Sequence, residues 1–488
     1  MFGIRRLTTL GASLALGLAL AACGGHPVGA GRPHGVPSPT SSPSNDAAPG
    51  ELAIARSDTR EDSVYPDVGD PLVDALHYDL DLAWDPTRDL LTGVETLTFR
   101  ATADAASIPL DFSDALSVST LSVDGADAHF TQQGHGLAIA HPVVRDRDYE
   151  LVLHYAGTPR PAPAPSRRSD FSAGVGWNIS PDHETSTLQE PYGAFTWYAV
   201  NDQPADKALY DFTLRSPPGW SGVANGKLVE ESSARGHDVD RWHLAEPASS
   251  YLVTVAFGRY RHTELSSRSG VPIQVWAPAD GPALPGQTSY APKAIDWLEN
   301  ILGPYPFDTF GVVVVHNDSG METQTMVTLG DNPYSLSQAV LVHEAAHHWY
   351  GDTVTPSDWS DVWMNEGMAM YLQGMWEAEQ EGVTINRKMD EWAGFEGRLR
   401  AAAGPPGAYD PTQFGDGNIY YGPALMWQEL RERIGDRRFF TVLREWPAAQ
   451  ENGNADRRTY VDWIEKTTGV ELSGFFDAWL LDRRTPPR

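Results

Sequence analysis

His343 and His347 stand four residues apart, with Glu344 beside the first, in "LVHEAAHHWYGD" (341–352). On a helix, positions i and i+4 share one face, a turn apart, so the two imidazoles can be directed at one point. The spacing predicts a helix that starts at Ser335 or Ser337 and stops at Gly351. Glu344 can then reach a water held at that same point. Histidine-Glu-x-x-histidine is a metal-binding pattern with a built-in base.

A third ligand follows. Glu366 lies 366 − 347 = 19 positions after His347, in "VWMNEGMAMYL". This segment also reads as a helix, capped by Ser360 or Asp361. Two antiparallel helices joined by a short loop can bring Glu366 to the two histidines. Two imidazoles, one carboxylate and a water describe a zinc site with an open position. A structural zinc site would fill all four positions with protein ligands, and calcium would take oxygen ligands alone. One zinc per chain is expected, with Glu344 taking a proton from water and passing it to a leaving group. Asp361 is placed either as the carboxylate that orients a ligand histidine or as a simple helix cap. His348 faces another direction on the helix and is assigned to packing or hydrogen bonding.

These helices need a body. The chain has 488 residues, 36 Lys and Arg against 65 Asp and Glu, and a net charge of −29. That balance argues against nucleic acid as a partner, since phosphate binding needs clustered cations. From about residue 67 to 260, short alternating segments such as "HYDLDLAWD" (77–85), "YELVLHYAG" (149–157), "YDFTLRSP" (210–217) and "SYLVTVAFGRY" (250–260) read as half-buried strands. "APKAIDWLENILG" (291–303) has helical spacing, "FGVVVVH" (310–316) reads as a buried strand, and the chain is mostly helical after Ser335. The expected fold class is α+β and multidomain. An antiparallel β saddle or sandwich over 61–262 precedes a mainly helical domain over 263–488.

The N-terminus reads as a targeting segment over 1–22. Arg5 and Arg6 precede an apolar run of about 16 residues, short of the roughly 20 a bilayer-spanning helix needs. Cys23, the single cysteine, sits in Leu20-Ala21-Ala22-Cys23, which resembles a bacterial lipobox. The resemblance implies lipidation of Cys23 and a lipid-anchored, outward-facing protein at a bacterial membrane. Residues 23–60, rich in Gly, Pro and Ser, read as a flexible tether. The body then has no cysteine for disulfides or nucleophilic chemistry.

"HEAAHHWYGDTV" followed by "WMNEGMAMYL" resembles the aminopeptidase N family of zinc metallopeptidases, in a short form without the family's large C-terminal helical domain. "GPYPFDTFGVVVV" (303–315), "NDQPADKALYDF" (201–212) and "SGFFDAWLLD" (473–482) extend the resemblance across the body. It implies a thermolysin-like catalytic domain and peptide substrates with a free N-terminus. It also implies further site residues. "SGMETQT" (319–325) occupies the place of the family's Gly-x-Met-Glu-Asn segment, which makes Gly320 and Met321 substrate-binding and Glu322 a grip on the α-amine. Ser319 and Thr323 depart from that pattern. "QEPYGAFTWYAVNDQP" (189–204) makes Glu190 the second amine anchor, with Gln189 beside it and Phe195 where the family has arginine. "NIYYGPALMWQEL" (418–430) puts the transition-state phenol at Tyr420, with Tyr421 the alternative. The implied activity is that of a zinc aminopeptidase. A zinc endopeptidase with the same site is the alternative, and an inactive peptide-binding lipoprotein is a third reading.

Overall fold

The computed structural model describes residues 52–488. Strand Val73–Asp85 buries every second side chain, as its alternating sequence requires. It pairs antiparallel with Leu90–Ala101 and parallel with Lys207–Ser216 at the middle of an eight-stranded sheet. A four-stranded sheet (Ser221–Ala224, Val255–Gly258, Thr185–Leu188, Gly176–Ile179) and a three-stranded one complete a β-rich N-terminal domain. Its core is aromatic, with Trp84, Trp177, Trp197, Tyr210 and Phe257 among its buried members.

One expected strand differs. Ser250–Leu252 form a 3-10 turn, and the strand begins at Val255. Their carbonyls are taken by groups outside any sheet. Gln189 Nε2 donates to Ser250 O at 2.6 Å, and Asn225 Nδ2 to Leu252 O at 2.9 Å. Local alternation does not reveal such side-chain donors.

The second part is built on a five-stranded sheet. Its order is Tyr260–Ser266, Pro272–Pro278, Phe310–Val315, Val327–Gly330, Gly320–Met321. The boundary expected at 262 falls inside the first of these strands. Phe310–Val315 has parallel partners on both sides and is buried throughout, which accounts for its unbroken apolar run. Each of its buried valines contributes about 1.5–3 kcal/mol. Gly320–Met321 forms the outer edge of this sheet and pairs antiparallel with Val327–Gly330.

Among the described residues, eight α-helices follow or flank the sheet. They are α1 (Ala291–Leu302), α2 (Gln338–His347), α3 (Trp363–Glu381), α4 (Ile385–Ala403), α5 (Asn418–Ile434), α6 (Asp436–Ala449), α7 (Arg457–Thr468) and α8 (Ser473–Leu481). Ser337 caps α2 by accepting from the Val340 amide. The helix ends at His347, earlier than expected, and Gly351 lies in the turn beyond it at φ 142°. Lys207, from the eight-stranded sheet, clamps that turn. Its buried ammonium donates to the carbonyls of Asp352 (2.7 Å), Thr353 (3.3 Å) and Gly453 (3.4 Å). Burial pushes its pKa down to about 7, against the pull of Asp352.

Helices α3 and α5 cross at Gly367 and Pro423. A Cβ on Gly367 would collide with the Pro423 ring. This glycine, next to Glu366, lets α5 approach closely enough to bring Tyr420 over the same site. Gly367→Ala should therefore cost about 1–3 kcal/mol as overpacking. Urea unfolding would measure it, and an unchanged midpoint would mean that the helices can separate freely.

Candidate metal centre and cleft

α2 and α3 bring His343, His347 and Glu366 together as the spacing predicted. His343 Nε2 lies 3.1 Å from Glu366 Oε2, and His347 Nε2 lies 3.4 Å from the same oxygen. One donor atom from each of the three falls within 4.8 Å of the others. His347 Nδ1 donates to the Tyr350 carbonyl at 3.2 Å. That bond fixes the tautomer and leaves the Nε2 lone pair facing the site. His347 Nε2 is buried without a hydrogen-bond partner. Two imidazole nitrogens and a carboxylate oxygen, converging with one nitrogen unpartnered, fit zinc with an open position.

The electrostatics also call for a cation. Burial tends to raise the Glu366 pKa, but the bond from His343 and the nearby His347 imidazole outweigh it and hold the carboxyl well below its ordinary value. Burial works against a charged His347, yet Glu322 and Glu366 pull its pKa well above the ordinary value. Positive charge is therefore favoured at this point.

Asp361 plays neither expected part. Its carboxylate accepts from Trp363 Nε1 at 3.0 Å and from the Arg457 amide at 2.8 Å, which occupies both oxygens away from the histidines. The orienting group is the Tyr350 carbonyl. No side chain caps α3, so Ser360 does not cap it either. Asp358 instead caps the short turn Trp359–Asp361 before the helix. His348 does pack and hydrogen-bond. It is fully buried below α2, with Nδ1 2.6 Å from the Tyr305 hydroxyl and Nε2 3.4 Å from the Asp352 carboxylate.

Glu344 lines the cleft beside the histidines. Across from it stands Gly320 on the edge strand, where an added Cβ would sit 2.5 Å from Glu344 Oε1. The glycine thus gives the carboxylate its room. Met321 and Glu322 follow on the same edge, and Glu190 enters from the β-rich domain. Glu190 and Glu322 are 4% and 3% exposed, and each keeps one oxygen buried without a partner. Carboxylate oxygens of Glu190, Glu322 and Glu366 lie within 4.8 Å of one another. Burial first, then the neighbouring carboxylates, raise the pKa of Glu190 and Glu344 well above the ordinary range, and burial raises Glu322. Gln189 turns away, spending its amide on Ser250 O and Trp197 Nε1. Phe195 lies in the β-rich core against Tyr192.

The two adjacent tyrosines separate clearly. Tyr420 donates to Glu366 Oε1 at 3.0 Å. The Tyr421 ring meets Trp392 and Phe395 edge-on instead. Sequence reasoning missed Arg168 and Asp170, which also line the cleft. Their signal is slight, a charged "RRSD" inside a proline- and alanine-rich loop. The cleft encloses about 470 Å³ and is walled outward by Tyr334, Gln373, Glu377 and Trp392. Cys23 and the targeting segment lie outside the described residues.

A model of the peptidase family M1 domain matches residues 288–479. Aminopeptidase N of Streptomyces lividans is 25% identical over 313 residues, spanning 58% of this chain and 36% of that protein. Mouse aminopeptidase B is 31% identical over 268 residues, spanning 50% of this chain and 37% of that protein. The chain thus spans about a third of the length of these curated relatives. A solved M1 zinc metallopeptidase mutant from Deinococcus radiodurans, bound to a Tyr-Ser-Ala substrate, superposes with a TM-score of 0.78 at 25% identity. That match covers 88% of this chain and 99% of the solved one.

Burial holds the His348 pKa down at about 3. Because the folded value lies below the ordinary 6.5, His348 contributes stability that is complete above about pH 6.5 and is lost as pH falls towards 3. Between pH 7 and 4 this should remove up to about 3 kcal/mol. Unfolding midpoints measured with chelator present throughout should fall less steeply in His348→Gln. Parallel slopes would show that His348 does not carry the acid sensitivity.

Proposed function

We propose that this chain, which belongs to the aminopeptidase N family of zinc metallopeptidases, is a zinc-dependent aminopeptidase that removes N-terminal residues from peptides. One observation carries the reading. Glu190 and Glu322 close the cleft beside the metal ligands, each with a buried unpartnered oxygen. Unpaired buried carboxylates are costly unless a cation answers them. A peptide's α-ammonium is such a cation, and its capture leaves the first peptide bond beside Glu344. Anchoring at a fixed distance from the reacting carbonyl orients the substrate as well as binding it.

His343, His347 and Glu366 would hold the zinc. When bound, zinc supplies Lewis acidity and an acidified water. Glu344 accepts a proton from the attacking water and returns it to the departing amine. Gly320 and Met321 offer edge-strand backbone to the peptide, in the manner of an added strand. The Tyr420 hydroxyl donates to the carbonyl oxygen as negative charge develops on it. Protonated Glu344 cannot accept, so activity should fall on acidification.

The test is hydrolysis of aminoacyl-coumarins by the chain, with a chelator, with N-acetylated substrates and with Glu344→Gln. Hydrolysis should need zinc and a free amine. Glu344→Gln should lower kcat by about 100- to 10,000-fold. Cleavage of blocked peptides at comparable rates would favour an endopeptidase and remove the amine-anchoring roles of Glu190 and Glu322.

The resemblance at Leu20–Cys23 supports lipid anchoring at the outer face of a bacterial membrane as part of the same reading. Among the described residues no helix is long and apolar enough to cross a membrane. In the native host, the chain should partition into detergent, and Cys23→Ala should move it to the aqueous phase. Equal partition of both forms would refute the anchor.

A further inference from the structure

We propose that Arg168 is a positioning residue that sets the direction of the Tyr420 O–H, held in place by Asp170 and Ser319; this rests on the aminopeptidase reading above. Arg168 precedes the short turn Ser169–Phe171 and reaches across to the N-terminus of α5. Its Nη1 donates to the Tyr420 oxygen at 2.9 Å and to the Gly415 carbonyl at 3.1 Å. Its Nε and Nη2 grip the Asp170 carboxylate, and its guanidinium lies 5.0 Å from the centre of the Phe171 ring. Asp170 in turn accepts from Ser319 Oγ at 3.0 Å. Ser319 immediately precedes the edge strand Gly320–Met321. A hydrogen-bonded chain thus runs from the strand beside the cleft, through Asp170 and Arg168, to the phenol.

The direction follows from proton count. A guanidinium has only donors, whereas a phenol has one proton and accepts through its lone pairs. The bond from Arg168 therefore occupies a lone pair of Tyr420, and the phenol's single hydrogen must point elsewhere. In the structure it points to Glu366 Oε1. Glu366 is one of the three converging residues proposed to hold the zinc, so the hydrogen faces that centre. Without Arg168 the hydroxyl is a rotor that accepts or donates as its neighbours allow. A wrongly directed donor loses transition-state stabilisation while leaving the ammonium contacts at Glu190 and Glu322 intact. Arg168 need not touch substrate in this role. It fixes the geometry of the group that does.

The experiment uses the full chain in four forms: wild type, Arg168→Ala, Tyr420→Phe and the double variant. Steady-state kinetics are measured on a free-amine aminoacyl-coumarin, with zinc content and thermal melting as checks of folding. Arg168→Ala should lower kcat by about 10- to 100-fold, with KM within about threefold of wild type. In the Tyr420→Phe background the same change should cost no more than about twofold, because both substitutions remove one donor. Guanidinium chloride at millimolar concentration should restore part of the kcat of Arg168→Ala. A loss confined to KM, or an equal loss in both backgrounds, overturns the proposal. Arg168→Gln replaces the alanine variant if that one fails to fold. Wild-type chain without free-amine-dependent hydrolysis would remove the aminopeptidase reading; an active wild type with unchanged kcat in Arg168→Ala would remove the role of Arg168 alone. Independently of activity, the ¹³Cζ resonance of Tyr420 in the zinc-free chain should move on Arg168→Ala, and a fixed resonance also overturns the proposal.

Discussion

Four carboxyl groups, those of Glu190, Glu322, Glu344 and Glu366, are buried around two imidazoles in one cleft. Charges removed from water in this way repel one another at low dielectric, and each costs several kcal/mol unless answered. The cluster persists because several kinds of positive charge or proton can meet it. Protons meet it in the raised carboxyl pKa values, and His347 and Arg168 meet it as cations. A metal ion and a substrate ammonium would meet it further. The surroundings serve to hold this arrangement against its own repulsion.

That explains the weight of the scaffold near the site. Helices α2 and α3 supply the three converging ligands, and Gly367 lets α5 come close enough to add Tyr420. Lys207 ties the turn after α2 to the eight-stranded sheet through three carbonyls. Asn365, next to Glu366, donates to Tyr251 from the β-rich domain at 3.2 Å. Glu190 and Arg168 come from that domain too, so neither part of the chain holds the whole cleft.

His343 and His347 were legible because helical spacing puts i and i+4 on one face, Glu344 because it stands beside His343, and Glu366 because a second antiparallel helix could return it to the pair. Glu322 and Glu190 carried no such periodic signal, and only resemblance pointed to them. Tyr420 and Tyr421 were ambiguous because their relation to Glu366 depends on how α5 packs, which Gly367 and Pro423 decide. Asp361 misled for a similar reason. Its partner is the Arg457 amide, 96 residues away. Arg168 was invisible, since its loop has no pattern and Tyr420 lies 252 residues further on. The strand reading at 250–252 failed because side-chain donors replaced a sheet neighbour.

The edge strand Gly320–Met321 has a consequence of another kind. An open strand edge beside the buried Glu344 is an invitation to any extended chain, including a partly unfolded neighbour. Under the proposed function, the acidic wall would turn that liability into discrimination. Internal stretches of polypeptide can lie along the edge, but they bring no ammonium to the end of it. Folded proteins with tucked-in termini, and chains whose first nitrogen is acylated, would pass the cleft intact. Under the proposed function, such a cleft would suit fragments with a free first amine rather than intact chains.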